Sequence, residues 1–193
     1  MKATLLVYAK QPRVGFGKSR LAADAGKVTA WRIARTLMQH TLKQTSDPRW
    51  TTRLYCSPDR AAHDPDPLLR QPGTQRLAQG KGDLSDRLEL GLRQAPHGPV
   101  LFVGTDAPAL SRTLIWQAIT TLHHHDAVMG PATDGGFWLF GLRRPPRHAR
   151  WSGPHAMGDV LANLPTEFRV ATLPTLRDID TLEDWKIWRL NSR

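Results

Sequence analysis

Short, continuous apolar runs alternate along this chain with segments in which apolar residues recur every three or four positions. The runs at 3–9 and 100–103 contain no charged residue, which is typical of strands buried on both faces of a sheet. The clearest segment with helical spacing predicts a helix over 27–45. This alternation predicts an α/β fold, a Rossmann-like three-layer sandwich around a mainly parallel, mixed sheet.

The rest of the chain continues the same alternation. Further strands are predicted at 51–56, 127–130, 137–142 and 168–173, and further helices after Asp83, after Ser111, at 155–163 and from about 182. The stretch 57–82 is rich in Pro, Gly, Asp and Gln and is predicted to be mostly loop, and 143–154 is predicted to be a basic, proline-rich loop. Because no long linker or internal repeat interrupts the pattern, we predict a single domain over 1–193.

The composition favours a globular protein that attracts anions. The net charge of +10 suits phosphates, nucleotides, nucleic acids or acidic membranes as partners. A basic surface without a binding role is the alternative, since the positive residues form no long block. Cys56 is the only cysteine, which excludes an internal disulfide and favours a reducing compartment. No apolar stretch approaches the roughly 20 residues of a membrane helix, so we expect a cytoplasmic protein without a membrane partner.

Three loops that follow predicted strands carry the residues of chemical interest, at 10–20, 104–108 and 130–136. Ligands of open α/β sheets bind at the carboxyl ends of the strands, so we expect these loops to lie at one functional edge. The first loop offers cations and flexible backbone, and the other two offer carboxylates.

The first loop is basic and contains two glycines. Gly15 and Gly17 let the backbone approach a ligand closely, and the cations Lys10, Lys18 and Arg20 are candidates for binding the phosphates of a nucleotide. Gly-Lys-Ser at 17–19 resembles the end of a P-loop, but proline stands five positions earlier, where that motif requires glycine, so we reject the motif. A solvated basic loop leading into a helix is the alternative.

Asp106 comes directly after the apolar run at 100–103. We expect burial there to make an unpaired carboxylate costly, so that Asp106 requires a cationic partner. Mg²⁺ or Mn²⁺ suits this position, because Mg²⁺ usually takes one or two protein carboxylates and completes its coordination with water and phosphate oxygens. We interpret Asp106 as a metal ligand, and a cap for the helix beginning near Ser111 is the alternative.

Acidic residues elsewhere are candidates for the same site. Asp178 and Asp180 alternate on an extended backbone and so face the same side, which makes either one a candidate second metal ligand. The alternative is that these acids stabilise the N-terminus of the last helix. Asp134 with Gly135 is interpreted either as a hairpin turn or as a substrate contact. Asp83 is a predicted N-cap and also a candidate substrate contact.

Two conspicuous features receive a structural interpretation instead. Consecutive helical residues point in different directions, so the histidines at 123–125 are predicted to end a helix rather than to bind metal. Cys56 lies in a predicted strand without an identifiable histidine partner, and is interpreted as an inert core thiol.

Six motifs, in order along nearly the whole chain, resemble those of the DUF2064 family, also called selenodomain-associated transferase 1. They are AKQPRVG at 9–15, KSRL at 18–21, GDLSDRL at 82–88, GTDAP at 104–108, GPATDGG at 130–136 and DIDTLED at 178–184. The resemblance implies a glycosyltransferase-A-like fold of the nucleotide-diphospho-sugar transferase superfamily. Ala107 departs from the usual Ser or Thr, and Ser85 from a usual glycine, but no carboxylate of the motifs is lost.

The KSRL and DIDT segments are also similar to those of the 2-phospholactate guanylyltransferases. This more distant similarity implies a nucleoside triphosphate substrate and Mg²⁺, with phosphates on the first loop and metal on Asp106 and Asp180. Our leading hypothesis is therefore nucleotidyl transfer to a small anionic acceptor, in which Lys18, Arg20 and Asp106 act as catalytic residues. Glycosyl transfer from a nucleotide sugar comes second, and a non-catalytic nucleotide- or nucleic-acid-binding protein third.

Overall fold

Seven strands form one mixed sheet in the computed structural model of this chain, which describes residues 1–144 and 157–191. The strands are β1 (Thr4–Lys10), β2 (Thr51–Ser57), β3 (Gln75–Ala78), β4 (Val100–Val103), β5 (Ala127–Pro131), β6 (Phe137–Leu142) and β7 (Val170–Thr172). Their order across the sheet is β3-β2-β1-β4-β6-β5-β7. Only β6 runs antiparallel to its neighbours among these strands, so the prediction of a mainly parallel, mixed sheet is confirmed.

Helices cover both faces of the sheet. They are α1 (Ser19–Ala25), α2 (Lys27–Thr45), α3 (Leu84–Gln94), α4 (Arg112–Thr121), α5 (Met157–Ala162) and α6 (Leu182–Asn191). Two short 3₁₀ turns, Asp59–Ala62 and Pro67–Leu69, lie between β2 and β3. The strands and helices alternate as the sequence predicts, because parallel neighbours require crossover connections.

The buried side chains of β1 show how the three layers form. Leu5 and Val7 belong to a core cluster with residues of α2 and α4, whereas Leu6 belongs to a second cluster with residues of α3 and α5. Successive side chains of a strand point to opposite faces, so an apolar strand without alternation is buried on both sides. In the second cluster, Phe102 of β4 stacks on Phe140 of β6, with ring centroids 5.9 Å apart.

Two elements differ from the sequence-based predictions. The stretch 57–82, predicted to be mostly loop, contains β3, which pairs in parallel with β2 from Arg53 to Cys56. Residues 19–25 form α1, although no helix was predicted there. Leu21 is the one buried residue of α1. Both elements are short, α1 with seven residues and β3 with four, so periodicity gives little signal for them.

The predicted helix starts are confirmed by their hydrogen bonds. The Asp83 side chain accepts from the Asp86 amide at 3.0 Å as the N-cap of α3, and Ser111 caps α4 in the same way. Thr181 and Asp184 bond reciprocally at the start of α6, with distances of 3.0 and 3.2 Å.

The remaining structural predictions concern the histidines at 123–125, Cys56 and the segment 143–163. The histidines at 123–125 follow the end of α4 in a turn, as predicted. Cys56 is buried, and burial raises the pKa of its thiol to about 11. Most of the loop predicted at 143–154 and the first residues of the helix predicted at 155–163 lie outside the described residues. Within the described part of the chain, no helix is long and apolar enough to cross a membrane.

Candidate functional site

The candidate site lies where β1 and β4 end, side by side in the middle of the sheet. β1 pairs with β2 on one side and with β4 on the other, so the strand order reverses at this point. Ligands of open α/β sheets bind in the crevice that such a reversal creates. A cavity of about 430 Å³ opens there, and its lining includes Lys10, Gly17, Lys18, Arg20, Asp106 and Asp180.

Lys18 is at the centre of this group. Its ammonium Nζ lies 2.9 Å from Oδ1 of Asp106 and 3.1 Å from Oδ1 of Asp180, and donates to the carbonyl oxygen of Ile179 at 2.6 Å. Three acceptors thus match the three N–H donors of the ammonium group. Burial alone would lower the pKa of Lys18, but the charges and hydrogen bonds of Asp106 and Asp180 outweigh it and raise the pKa. Lys18 is therefore held as a cation.

The backbone around Lys18 is unusual. Lys18 is the one non-glycine residue with a positive φ (49°) in the described part of the chain, and it follows Gly17 with a φ of 69°. A left-handed conformation costs an L-residue roughly 1–2 kcal/mol. The contacts of the Lys18 side chain offset that cost and direct it towards the carboxylates.

Arg20 and Asp180 form the second ion pair of the site. Arg20 lies in the first turn of α1, and its guanidinium contacts Oδ2 of Asp180 at 2.9 Å. The Arg20 side chain remains 70% exposed, whereas that of Asp180 is 25% exposed. Both oxygens of Asp180 thus contact a cation, Lys18 on one side and Arg20 on the other.

Ile179 fixes the position of its acidic neighbours. Its amide donates to the Asp106 carbonyl at 2.9 Å, which joins the segment before α6 to the loop after β4. Its side chain is fully buried and clusters with Leu21 of α1 and with Ile33 and Leu37 of α2. A buried apolar residue between Asp178 and Asp180 therefore anchors both acids at the edge of the sheet.

A cluster of three carboxylates lies beside the ion pairs. Asp134, Asp178 and Asp180 each offer an oxygen, and these atoms all lie within 4.8 Å of one another. Burial, together with the negative charges of Asp134 and Asp180, raises the pKa of Asp178 above its ordinary value. Thr133 partly stabilises Asp178 by donating a hydrogen bond to it at 3.1 Å. A bound cation would relieve the remaining repulsion.

The donor set of the site fits Mg²⁺ or Mn²⁺. Carboxylate oxygens are the hard ligands that these ions prefer. Two overlapping groups offer them: the pair Asp106 and Asp180, which both contact Lys18, and the cluster of Asp134, Asp178 and Asp180. Asp180 belongs to both groups.

From the sequence we expected the Asp106 carboxylate to be buried, and this expectation is wrong. The Asp106 side chain is 56% exposed, because the strand ends at Val103 and residues 104–106 emerge at the edge of the sheet. Asp106 does have the cationic partner that was expected, but in this structure the partner is the ammonium of Lys18. The helix after it is capped by Ser111, so the alternative role of Asp106 as that cap is excluded.

The other predicted site residues do not line the cavity. Gly15, with a φ of 80°, belongs to the same loop but not to the cavity lining. Asp83 is also outside the lining and caps α3, although its neighbour Leu84 lines the cavity. Asp134 accepts from the Gly136 amide at 2.8 Å, and Gly135 has a φ of 88°, so the predicted turn is present. Because Asp134 also belongs to the carboxylate cluster, turn and site contact are compatible.

Several lining residues were missed by the sequence analysis. Gln79 is buried, donates to the carbonyls of Ala9 and Tyr55 at 3.3 and 3.0 Å, and ties together the ends of β1, β2 and β3. Phe16 lines the same cavity and is 72% exposed. Gln79 directly follows β3. Because β3 was not predicted, there was no signal in the sequence that Gln79 lies at a strand end.

Comparison with protein families gives a match over more than half of the chain. The model of the DUF2064 family, described as an uncharacterized protein conserved in bacteria, matches residues 40–154. That region contains the motifs at 82–88, 104–108 and 130–136. A search of curated proteins with this sequence found no match.

Solved structures show the same fold over the whole chain. A candidate nucleotide-diphospho-sugar transferase from Desulfovibrio desulfuricans G20 is 25% identical, with a TM-score of 0.86 over 100% of this chain and 89% of that chain. Rv0371c from Mycobacterium tuberculosis H37Rv, in complex with manganese, is 14% identical, with a TM-score of 0.62 over 97% of each chain. A CMP:2-keto-3-deoxy-manno-octonic acid synthetase in complex with CTP is 11% identical, with a TM-score of 0.57 over 100% of this chain and 98% of that chain. The expected glycosyltransferase-A-like fold is confirmed.

Proposed function

This chain belongs to the DUF2064 family, and from its site we propose that it is a metal-dependent transferase that moves a nucleotidyl group from a nucleoside triphosphate to a small anionic acceptor. One observation carries the proposal: Lys18, from the loop after β1, lies between Asp106, from the loop after β4, and Asp180. Cations for phosphates and carboxylates for a metal ion thus meet at the strand-order reversal, where α/β sheets bind ligands.

The basic residues of the cavity suit a triphosphate. Lys10, Lys18 and Arg20 all line it, and charge-assisted hydrogen bonds to phosphate oxygens are the strong ones. Gly17 has no side chain to obstruct a ligand. It lies beside the side chain of Lys10, because a Cβ added at Gly17 would be 3.6 Å from Lys10 Cδ. The loop therefore presents two lysines and open backbone on the same side of the cavity.

The proposed reaction is a substitution at the α-phosphorus. An oxygen of the acceptor forms the new bond to phosphorus, and the bond from that phosphorus to the bridging oxygen breaks, so that pyrophosphate leaves with the electron pair. An acceptor that is already anionic requires no general base. Lys18 and Arg20 stabilise the charge that develops on the phosphate oxygens. Mg²⁺ or Mn²⁺, held by Asp180 with Asp106 or with Asp134 and Asp178, would neutralise phosphate charge and orient the triphosphate.

The solved structures support nucleotide handling in this fold. One relative is the CMP:2-keto-3-deoxy-manno-octonic acid synthetase, which is complexed with CTP. Its name contains both a nucleotide, CMP, and a sugar acid. Another is complexed with manganese. A nucleoside triphosphate, an anionic acceptor and a divalent cation are the three components of the proposed reaction.

Glycosyl transfer from a nucleotide sugar is the second candidate. The description of the Desulfovibrio relative as a candidate nucleotide-diphospho-sugar transferase favours it. The products distinguish the two reactions, because nucleotidyl transfer releases pyrophosphate and glycosyl transfer releases a nucleoside diphosphate.

Ligand binding is the first test of the proposal. A thermal-shift screen of nucleoside triphosphates and nucleotide sugars, each with Mg²⁺ and Mn²⁺, is expected to show stabilisation by a metal–triphosphate pair. Calorimetry then gives the affinity of the best nucleotide. For a substrate found in this way, the pyrophosphate and nucleoside diphosphate formed are measured.

Asp106→Asn tests the residue assignment. The change removes one negative charge and is expected to abolish metal-dependent turnover. Glu167→Gln is the matched control, since Glu167 is exposed and precedes β7, at the opposite edge of the sheet. Absence of nucleotide binding with either metal would refute the proposal. For a nucleotide that does bind, unchanged metal-dependent turnover in Asp106→Asn would refute the role assigned to Asp106.

A further inference from the structure

The carboxylate oxygens that suit a metal ion already contact cations of the chain itself. Lys18 Nζ contacts Asp106 Oδ1 and Asp180 Oδ1, and Arg20 contacts Asp180 Oδ2. Asp180 belongs to both candidate metal groups, so either group would share it with these side chains. The chain therefore carries its own cations at the candidate metal position.

A divalent ion and the Lys18 ammonium compete for the same place. Mg²⁺ lies roughly 2.0–2.1 Å from its oxygen ligands. An ion bound between Asp106 and Asp180 would thus lie close to the present position of Nζ, which is 2.9 and 3.1 Å from the two oxygens. Two cations this close repel strongly, and more so where solvent is partly excluded; the Lys18 side chain is only 13% exposed.

We propose that Lys18 is the resident cation of the nucleotide-free site, and that the metal ion and the triphosphate displace it together. This inference rests on the proposed function, because the phosphates supply the new partner for the ammonium. As the metal takes the carboxylates, Lys18 turns from Asp106 and Asp180 to the phosphate oxygens. The charge of the carboxylates remains balanced before and after the exchange.

The backbone of the loop is suited to such a movement. Lys18 adopts a left-handed conformation with a φ of 49°, which is unfavourable for lysine and is maintained by its side-chain contacts. Gly17, directly before it, adopts left- and right-handed conformations equally readily. Release of the ammonium thus removes the contacts that oppose relaxation of the loop.

The exchange predicts coupling between metal and nucleotide. Without nucleotide, a metal ion must displace Lys18 into water and binds weakly. With a triphosphate present, the ammonium has a new partner and the metal binds more tightly. The coupling is reciprocal, so the metal strengthens nucleotide binding by the same factor.

Mn²⁺ binding in the absence of nucleotide tests this inference. Free Mn²⁺ is measured by electron paramagnetic resonance in titrations of the wild type, Lys18→Met and Lys18→Gly. Methionine removes the charge but retains a long stem, and glycine also removes the cost of the left-handed backbone. Both variants are expected to bind Mn²⁺ about tenfold more tightly than the wild type, because the competing cation is gone.

Two further variants serve as controls. Lys27→Met removes the same charge near the loop but outside the cavity lining, and is expected to bind Mn²⁺ like the wild type. Adding Asp180→Asn to Lys18→Met is expected to abolish the gain. If both Lys18 variants retain a cooperative thermal transition yet bind Mn²⁺ no more tightly than the wild type, the inference is overturned. The proposed function fails separately, by absence of metal-dependent nucleotide binding in the wild type.

The wild-type protein provides an independent measurement if neither variant folds. An ammonium with three acceptors and little exposure exchanges its protons slowly, so Lys18 is expected to give a ¹⁵Nζ signal that exposed lysines lack. Saturating Mg²⁺ with a non-hydrolysable triphosphate should shift that signal or abolish it. An unchanged signal under saturation would overturn the exchange.

Discussion

The backbone amide of Ile179 donates to the backbone carbonyl of Asp106 across 2.9 Å. This contact joins two segments that are distant in sequence and places Asp180 and Asp106 on either side of Lys18. The Ile179 side chain is fully buried, so the position of the carboxylates depends on apolar packing beneath them.

Ile179→Ala is expected to destabilise the protein by about 2–5 kcal/mol, because it leaves a cavity among the helices. The measurement is the free energy of unfolding from urea titrations. Leu190→Ala is the control, since Leu190 is 73% exposed and its loss should change stability by less than about 0.5 kcal/mol. Metal-dependent nucleotide binding is also expected to weaken in Ile179→Ala under conditions where the variant is folded. Equal losses of stability in the two variants would contradict this account of the anchor.

Removal of the cavity cations should weaken triphosphate binding selectively. Lys10→Ala and Arg20→Ala are each expected to raise the dissociation constant of a nucleoside triphosphate with Mg²⁺ about tenfold or more, the effect of one lost charge-assisted hydrogen bond. The corresponding nucleoside should be affected much less, because it lacks phosphates. Calorimetry at two salt concentrations provides the measurement, and the difference should shrink at high salt.

Lys186→Ala is the matched control for these cations. Lys186 is exposed on α6 and lies outside the cavity lining, so its loss changes the net charge but no contact of the site. If Lys186→Ala weakened binding as much as the other two variants, the general positive charge rather than the cavity would determine affinity.

The sequence predicts the central elements of this fold well because their signal is local. The strands at 100–103 and 137–142 and the helix at 27–45 have the predicted bounds, since each is continuously apolar or strongly amphipathic. By contrast, β3 is an edge strand of four residues that pairs with β2. That pairing joins segments distant in sequence, so local periodicity does not predict it.

The candidate site was predictable in its residues but not in their contacts. The rule that ligands bind at strand ends selected Lys18, Arg20 and Asp106. Asp180 was selected separately, because it alternates with Asp178 on a predicted extended backbone and because of the resemblance to the guanylyltransferases. The structure brings these four side chains together. The direct pairing of Lys18 with Asp106 depends on the turn after β1 and the left-handed backbone at Lys18, which the sequence does not specify. The exposure of Asp106 was missed because an apolar run shows where a strand is buried, but not how soon the chain after it reaches solvent.

Gly130→Ala is expected to be strongly destabilising for a steric reason. A Cβ at Gly130 would lie 2.4 Å from the indole ring of Trp138, which is buried and donates to the Pro174 carbonyl at 3.0 Å. The ring cannot move without breaking that bond, so we expect a cost of about 1–3 kcal/mol or more. Gly158→Ala is the control, since nothing lies within 4 Å of its Cβ position in α5, and alanine there is expected not to destabilise the protein. Urea unfolding of both variants measures the contrast, and a stable Gly130→Ala would show that Trp138 can repack.

The ion pair of Asp47 and Arg49 predicts a pH dependence of stability away from the site. Arg49 donates to both Asp47 oxygens, at 2.8 and 2.9 Å, and is itself placed over the rings of Trp50 and Trp116. These hydrogen bonds lower the pKa of Asp47 to about 2. Because the folded-state pKa is lower than the unfolded-state value near 3.9, the pair stabilises the protein fully above about pH 5, and the contribution is lost as the pH falls towards 2.

Asp47→Asn isolates this contribution, because asparagine does not titrate. The difference in free energy of unfolding between the wild type and Asp47→Asn is expected to be constant from pH 7 to 5 and to shrink between about pH 4 and 2. Urea titrations at a series of pH values measure it, with Glu167→Gln as the control for the loss of an exposed carboxylate at another site. A difference that stayed constant down to pH 2 would show that Arg49 does not hold the Asp47 carboxylate in its charged form, and the depressed pKa would then be wrong.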